Sequence, residues 1–233
     1  MMSRPPLLLI PGLLCDGRLW QHQLAALADA ANMTVGDHST HDNLYEIAAT
    51  LLTKAPPRFA VAGLSMGGYI AFELLRQAPE RITHLALINT AARPDSPEKR
   101  QRRLDFMALA TRGRFRGVSH ALLPLLIHRD RLDDRELAGT VSAMARDSGV
   151  EAYLRESRAI VDRPDSVPML SGIACPTVVI GGLQDQLTPP ECQQEIADGI
   201  PGAELILLDR CGHLAPLEHP QAVNAALRKL LTR

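Results

Sequence analysis

Ser65 stands in Gly-Leu-Ser-Met-Gly-Gly, residues 63–68, between an apolar run and a stretch with helical spacing. A serine hydroxyl is a weak nucleophile and needs a base within hydrogen-bond reach. The missing side chains at Gly63 and Gly67 allow a strand to turn sharply into a helix, with the hydroxyl left projecting outward. The helix that begins at Met66 aims its positive end and its free amides at the same point. The pattern alone is modest evidence, because glycine is common; a strand before it and a helix after it give it weight.

Eight histidines could supply the base. His22 falls in a helical stretch, His84 early in a strand, His38 and His41 in an early loop, and His120 and His128 in a helical region. His219 reads as a polar residue near the closing helix. His213 follows the apolar run Ala-Glu-Leu-Ile-Leu-Leu-Asp, with Gly212 just ahead of it, and so belongs at the same sheet edge as Ser65. An imidazole base needs a carboxylate to fix its tautomer and stabilise its cation. Asp185, in Gly-Gly-Leu-Gln-Asp-Gln-Leu-Thr-Pro-Pro, follows another apolar run and precedes a helix for which Thr188 reads as the cap. Asp95 is the alternative acid, though it reads equally well as a helix cap. For the oxyanion, the expected donors are the Met66 N–H and the Leu13 N–H from Pro-Gly-Leu-Leu-Cys, where Gly12 lets the backbone approach.

These residues need a scaffold that gathers strand ends. Apolar runs at Pro-Leu-Leu-Leu-Ile, Arg-Phe-Ala-Val-Ala-Gly-Leu-Ser, Thr-His-Leu-Ala-Leu-Ile and Cys-Pro-Thr-Val-Val-Ile-Gly-Gly lack polar alternation and are separated by helical stretches. That pattern predicts an α/β fold: a mostly parallel sheet covered on both faces. Ligands bind such sheets beyond the carboxyl ends of the strands, where Ser65, Asp185 and His213 all fall. Residues 93–170 break the pattern, with four helical stretches expected over 96–113, 115–127, 133–149 and 150–161.

With these motifs the chain resembles the α/β-hydrolase superfamily, in its esterase, lactonase and C–C hydrolase group with a helical lid. The motifs are Leu-Leu-Leu-Ile-Pro-Gly-Leu-Leu-Cys-Asp-Gly-Arg-Leu-Trp, Gly-Leu-Ser-Met-Gly-Gly, Gly-Gly-Leu-Gln-Asp-Gln-Leu-Thr-Pro-Pro and Gly-His-Leu-Ala-Pro-Leu-Glu-His-Pro. The resemblance implies Ser65 as nucleophile, Asp185 as acid, His213 as base and the amides of Leu13 and Met66 as oxyanion hole. The chain order of the three matches that family. It also implies a core of residues 1–92 and 171–233, about six strands, with residues 93–170 as the lid. Pro11-Gly12 replaces the His-Gly of many relatives, and the usual opening hairpin is absent. Dehalogenases and epoxide hydrolases of this fold use aspartate as nucleophile, and a serine at 65 argues against both.

Leu14 and Leu214 are expected in the substrate pocket, with Leu122, Leu123, Leu125, Leu126 and Met144 covering the cleft. Residues 93–163 carry 15 basic and 11 acidic side chains, densest over 99–116. A solvated helix face would explain them; an anionic substrate or an acyl carrier is the sharper reading, as in the related esterase of a carrier-bound pimeloyl methyl ester. The expected chemistry is hydrolysis of a small carboxylic ester, thioester or lactone. C–C cleavage of a ring-fission diketone and ligand binding without turnover are the alternatives.

The totals fit this reading. The chain has 233 residues, 46% hydrophobic and 22% charged, with net charge −1. That predicts one globular domain and gives no sign of a nucleic-acid partner. Cys15, Cys175, Cys192 and Cys211 form no closely spaced pair, so neither a zinc site nor a disulfide framework is expected, and no cofactor or metal. Reduced thiols suit a cytoplasmic protein. The opening apolar run is stopped by Pro11-Gly12, which favours a first strand over a secretion signal, and no segment reaches the length of a membrane span.

Overall fold

The computed structural model describes residues 4–118 and 122–233. Six strands form the sheet: β1 (Pro6–Ile10), β2 (Asn32–Val35), β3 (Phe59–Leu64), β4 (Ile82–Ile88), β5 (Thr177–Gly182) and β6 (Glu204–Leu208). Their spatial order is β2-β1-β3-β4-β5-β6, and every neighbouring pair is parallel. No helix among the described residues is long and apolar enough to cross a membrane.

Side chains alternate across a strand, so one apolar run feeds two cores. Leu7, Leu9, Ala62, Leu64, Ile88 and Ile180 point to one, where α9 (Pro220–Leu230) packs through Val223 and Leu227. Leu8, Ile10, Val61, Leu87 and Val179 point to the other, against Ile47 of α2 (Leu44–Lys54) and Ile70 of α3 (Met66–Gln77). Burying both faces explains why these strands show no polar alternation.

The register aligns the strand ends. Ile10 pairs with Gly63, Leu64 with Ile88, and Ile88 with Ile180, so the following loops rise from one edge. Backbone strain gathers there too. Leu14, Ser65, Asn89 and Arg210, which follow β1, β3, β4 and β6, have φ of 59°, 54°, 44° and 54°. Side-chain-bearing residues adopt this left-handed region only where surrounding contacts hold them.

Between β4 and β5 the chain leaves the sheet as α4 (Pro97–Leu109), α5 (Leu123–Leu126) and α6 (Arg135–Val161). Two details of this insertion differ from the sequence reading. The expected helix over 115–127 is a single turn among the described residues, with Gly117 at φ 61° ahead of it. The two helices expected over 133–161 run end to end as α6, kinked at Gly149, where φ is 78° and ψ 177°. Near the start, the stretch after Asp16 is a 3-10 turn (Gly17–Trp20) and a six-residue helix, α1 (Gln21–Ala26), instead of one long helix. The Asp16 carboxylate accepts the Arg18 N–H at 2.9 Å and starts the tighter turn. The remaining helices are α7 (Pro190–Gly199) and α8 (Ala215–Glu218).

Candidate active site

Ser65 sits at the corner between β3 and α3 with φ 54° and ψ −113°. Its N–H donates to the Ile88 carbonyl at 3.0 Å, and its own carbonyl accepts from Gly68 N–H at 2.9 Å and from the Thr90 hydroxyl at 2.8 Å. A Cβ on Gly63 would fall on the backbone of Gly67 and Gly68, and one on Gly67 on the backbone of Ile10 and Pro11. The corner closes only because both positions are glycine.

Across the cavity, His213 Nδ1 lies 2.8 Å from Asp185 Oδ2, and both residues are buried. Asp185 follows β5 and is held by several donors. Oδ1 accepts the amides of Leu187 and Thr188 at 2.8 and 3.1 Å; Oδ2 accepts the Thr188 hydroxyl at 2.7 Å and the Asn89 amide group at 2.8 Å. Burial pushes the Asp185 pKa up, but the charge and hydrogen bond of His213, with the bonds from Thr188 and Asn89, outweigh it and hold the carboxyl below the usual range. The group is ionised at neutral pH. Because Asp185 Oδ2 can only accept, the His213 Nδ1 carries the proton, which leaves Nε2 free as a base.

The His213 loop is fixed amide by amide. Gly212 N–H and Leu214 N–H donate to Glu218 Oε1 at 3.0 and 3.2 Å, and His213 N–H donates to the Leu126 carbonyl at 2.9 Å. Glu218 Oε2 also accepts the His128 N–H at 2.6 Å, which ties the α5 segment to the loop. Ser65 and His213 line one cavity of about 460 Å³. Among the described hydrogen bonds none joins the Ser65 hydroxyl to His213. Such contacts are often long without substrate and tighten on binding.

Leu13 and Leu14 also line this cavity, with Leu214. The Met66 amide opens α3 and has no intrahelical partner, as at any helix start. Leu122, Leu125 and Leu126 line the cavity, while Leu123 and Met144 pack into the core beneath it. Among the described residues Asp95 touches no histidine. It binds Arg163 at 2.9 Å and Arg103 at 3.0 Å, and burial, which raises its pKa, is outweighed by these two cations. Nor does it cap α4, whose first turn is capped by Ser96. His120 lies outside the described residues.

Sequence reasoning missed several residues here. Thr188 does not cap the following helix, which Pro189 precedes; its hydroxyl goes to Asp185. Asn89 and Glu218 hold Asp185 and the His213 loop. The one available signal was Asn89, an asparagine just after a strand, where left-handed backbone is tolerated.

The profile of the Alpha/beta hydrolase family matches residues 7–226. The chain belongs to this family. A Mycobacterium tuberculosis protein provisionally named the non-heme bromoperoxidase BpoC is 29% identical over 244 residues, covering 96% of this chain and 92% of the relative. Among solved structures, the enol-lactonase from Burkholderia xenovorans LB400 superposes with a TM-score of 0.89 at 26% identity, over 99% of this chain and 92% of that one. A thermophilic esterase from Thermogutta terrifontis superposes with a TM-score of 0.86 at 28% identity, over 98% and 89%. Hydrolases of esters and lactones thus share this fold over almost its whole length.

Proposed function

We propose that the protein is a serine hydrolase of small carboxylic esters, with lactones and thioesters as related substrates. The observation that carries this reading is the left-handed corner at Ser65 opposite a buried His213–Asp185 pair in one cavity. Ser65 Oγ attacks the acyl carbon while His213 Nε2 takes its proton. Asp185 orients the ring and offsets its positive charge. The Leu13 and Met66 amides receive the developing oxyanion. Collapse of the tetrahedral adduct expels the alcohol, which leaves with the proton from His213. Water then attacks the acyl-enzyme with His213 again as base, and the acid departs.

The segment 93–170 acts as a lid, and its basic residues bear on substrate choice. Lys99, Arg102, Arg103, Arg114 and Arg116 line the cavity. Asp95, the one carboxylate among its described lining residues, is already paired with Arg103 and Arg163. An uncompensated positive mouth over an apolar interior favours an acyl group with a distal carboxylate, or a phosphate-bearing carrier.

A panel of p-nitrophenyl esters of rising chain length, beside lactones, acyl thioesters and a vinylogous diketone, tests the reading. Ester turnover should dominate and vanish in Ser65→Ala. Turnover of the diketone with poor ester activity would favour C–C hydrolysis, and no turnover of any member would favour a binding protein.

A further inference from the structure

His38, after β2, and Glu156, on α6, meet behind the loop that carries Leu13. His38 Nε2 lies 3.1 Å from the Gly12 carbonyl and 3.4 Å from Glu156 Oε1, and both side chains are buried. A carbonyl only accepts, so Nε2 carries the proton and donates it to Gly12, with Glu156 Oε1 beside it. Glu156 Oε2 accepts the Leu14 N–H at 2.9 Å. Neither residue lines the cavity or reaches its reacting atoms.

The two contacts grip two consecutive peptide groups. The Gly12 carbonyl and the Leu13 N–H belong to one planar trans unit and point in opposite directions. With the carbonyl held by His38 Nε2 and by the Cys15 N–H at 3.0 Å, the Leu13 N–H must point the other way. The next unit carries the Leu14 N–H, and its bond to Glu156 helps hold Leu14 at φ 59°. A leucine does not rest in that conformation unless held. A packing role alone would not require polar atoms at these two points, since burying them costs free energy.

We propose that His38 and Glu156 are positioning residues that aim the Leu13 amide as an oxyanion donor, so that helix α6 completes the site as well as covering it. This rests on Ser65 acting as the nucleophile. The test is the second-order rate of Ser65 labelling by a fluorophosphonate, whose phosphoryl oxygen needs the same donors, alongside kcat and KM for a p-nitrophenyl ester. Wild type, His38→Leu, His38→Gln, Glu156→Leu and Glu156→Gln are compared, with folding checked by circular dichroism.

The leucine variants should label roughly 10- to 100-fold more slowly and lose kcat in proportion, with KM within about twofold. The glutamine variants, which keep a donor toward Gly12 or an acceptor toward Leu14, should recover most of the rate. If a leucine variant fails to fold, Glu156→Asp withdraws the carboxylate by one methylene and carries the same expectation. Leucine variants that fold and label at the wild-type rate, or that change KM alone, overturn the proposal while leaving Ser65 in place. Failure of the wild type to label overturns both readings.

Discussion

Two buried carboxylates, one against His213 and one behind the Leu13–Leu14 loop, behave in opposite ways. Asp185 accepts from Leu187, Thr188 twice, Asn89 and His213, and its pKa is held below the usual range although burial pushes it up. Glu156 is just as enclosed but accepts one backbone amide, with the neutral His38 ring 3.4 Å away, and burial pushes it up to about 7. Glu218, with three backbone amides, is also raised by burial. The number and charge of donors, set against desolvation, decide which carboxyl is permanently ionised. Under the proposed mechanism the carboxylate against His213 must hold a charge, whereas the one behind the Leu13–Leu14 loop needs only to accept.

The sharpest way to break this contrast is at Asp185. Asp185→Asn keeps the shape but offers a donor to His213 Nδ1, so the ring takes the wrong tautomer. Ester kcat should fall by about 10³- to 10⁴-fold with little change in KM, measured by steady-state kinetics. A loss under tenfold would mean that another group holds the histidine.

Next in size is Glu218→Ala. It strands the amides of His128, Gly212 and Leu214, each buried and without another acceptor among the described residues. At roughly 1 kcal/mol or more per stranded group, stability should drop by at least about 3 kcal/mol in urea unfolding.

The pH dependence of stability separates Glu156 from Asp185 by sign. Glu156 has a folded pKa of about 7 against a reference of 4.5, so the folded state holds its proton where the unfolded state has lost it. Stability is therefore greatest below the reference value and declines as pH rises through that interval. The groups facing it are His38 and Asp37 after β2, Cys15 after β1 and Arg155 on its own helix. His38 is itself kept neutral by burial. Relative to Glu156→Gln, the wild type should lose up to about 3 kcal/mol between about pH 5 and pH 8, read as a Tm difference that grows with pH. Asp185 contributes in the other direction, with stability present above its unfolded pKa and lost as pH falls. A wild-type and Glu156→Gln difference that is flat across that range would contradict the assignment.

The smallest effect is expected at the cavity mouth. Lys99, Arg102 and Arg116, each changed to Glu, should raise KM for a dicarboxylate half-ester by about tenfold and leave a neutral ester within about twofold. Equal changes for both substrates would reduce these side chains to a solvated face.

What was legible in the sequence follows the same division. Ser65, Asp185 and His213 announce themselves because each sits in a local signal: a strand end, a glycine and a following helix or loop. The two cores could be read from uninterrupted apolar runs such as Thr-Val-Val-Ile. Glu156 and His38 could not, and of Asn89 only its place after a strand could, because their partners are set by tertiary register. Asn89 reaches Asp185 across 96 positions, and Glu156 reaches Leu14 across 142. Local spacing also failed within the insertion, where Gly149 kinks a helix that its glycine was expected to end.

The most direct measurement is the mass of the protein and of its peptides after exposure to a fluorophosphonate. The account predicts a single adduct on the peptide bearing Ser65, absent in Ser65→Ala and formed far more slowly in His213→Ala. A wild-type protein that stays unmodified, or a Ser65→Ala variant that gains the same adduct, would contradict it.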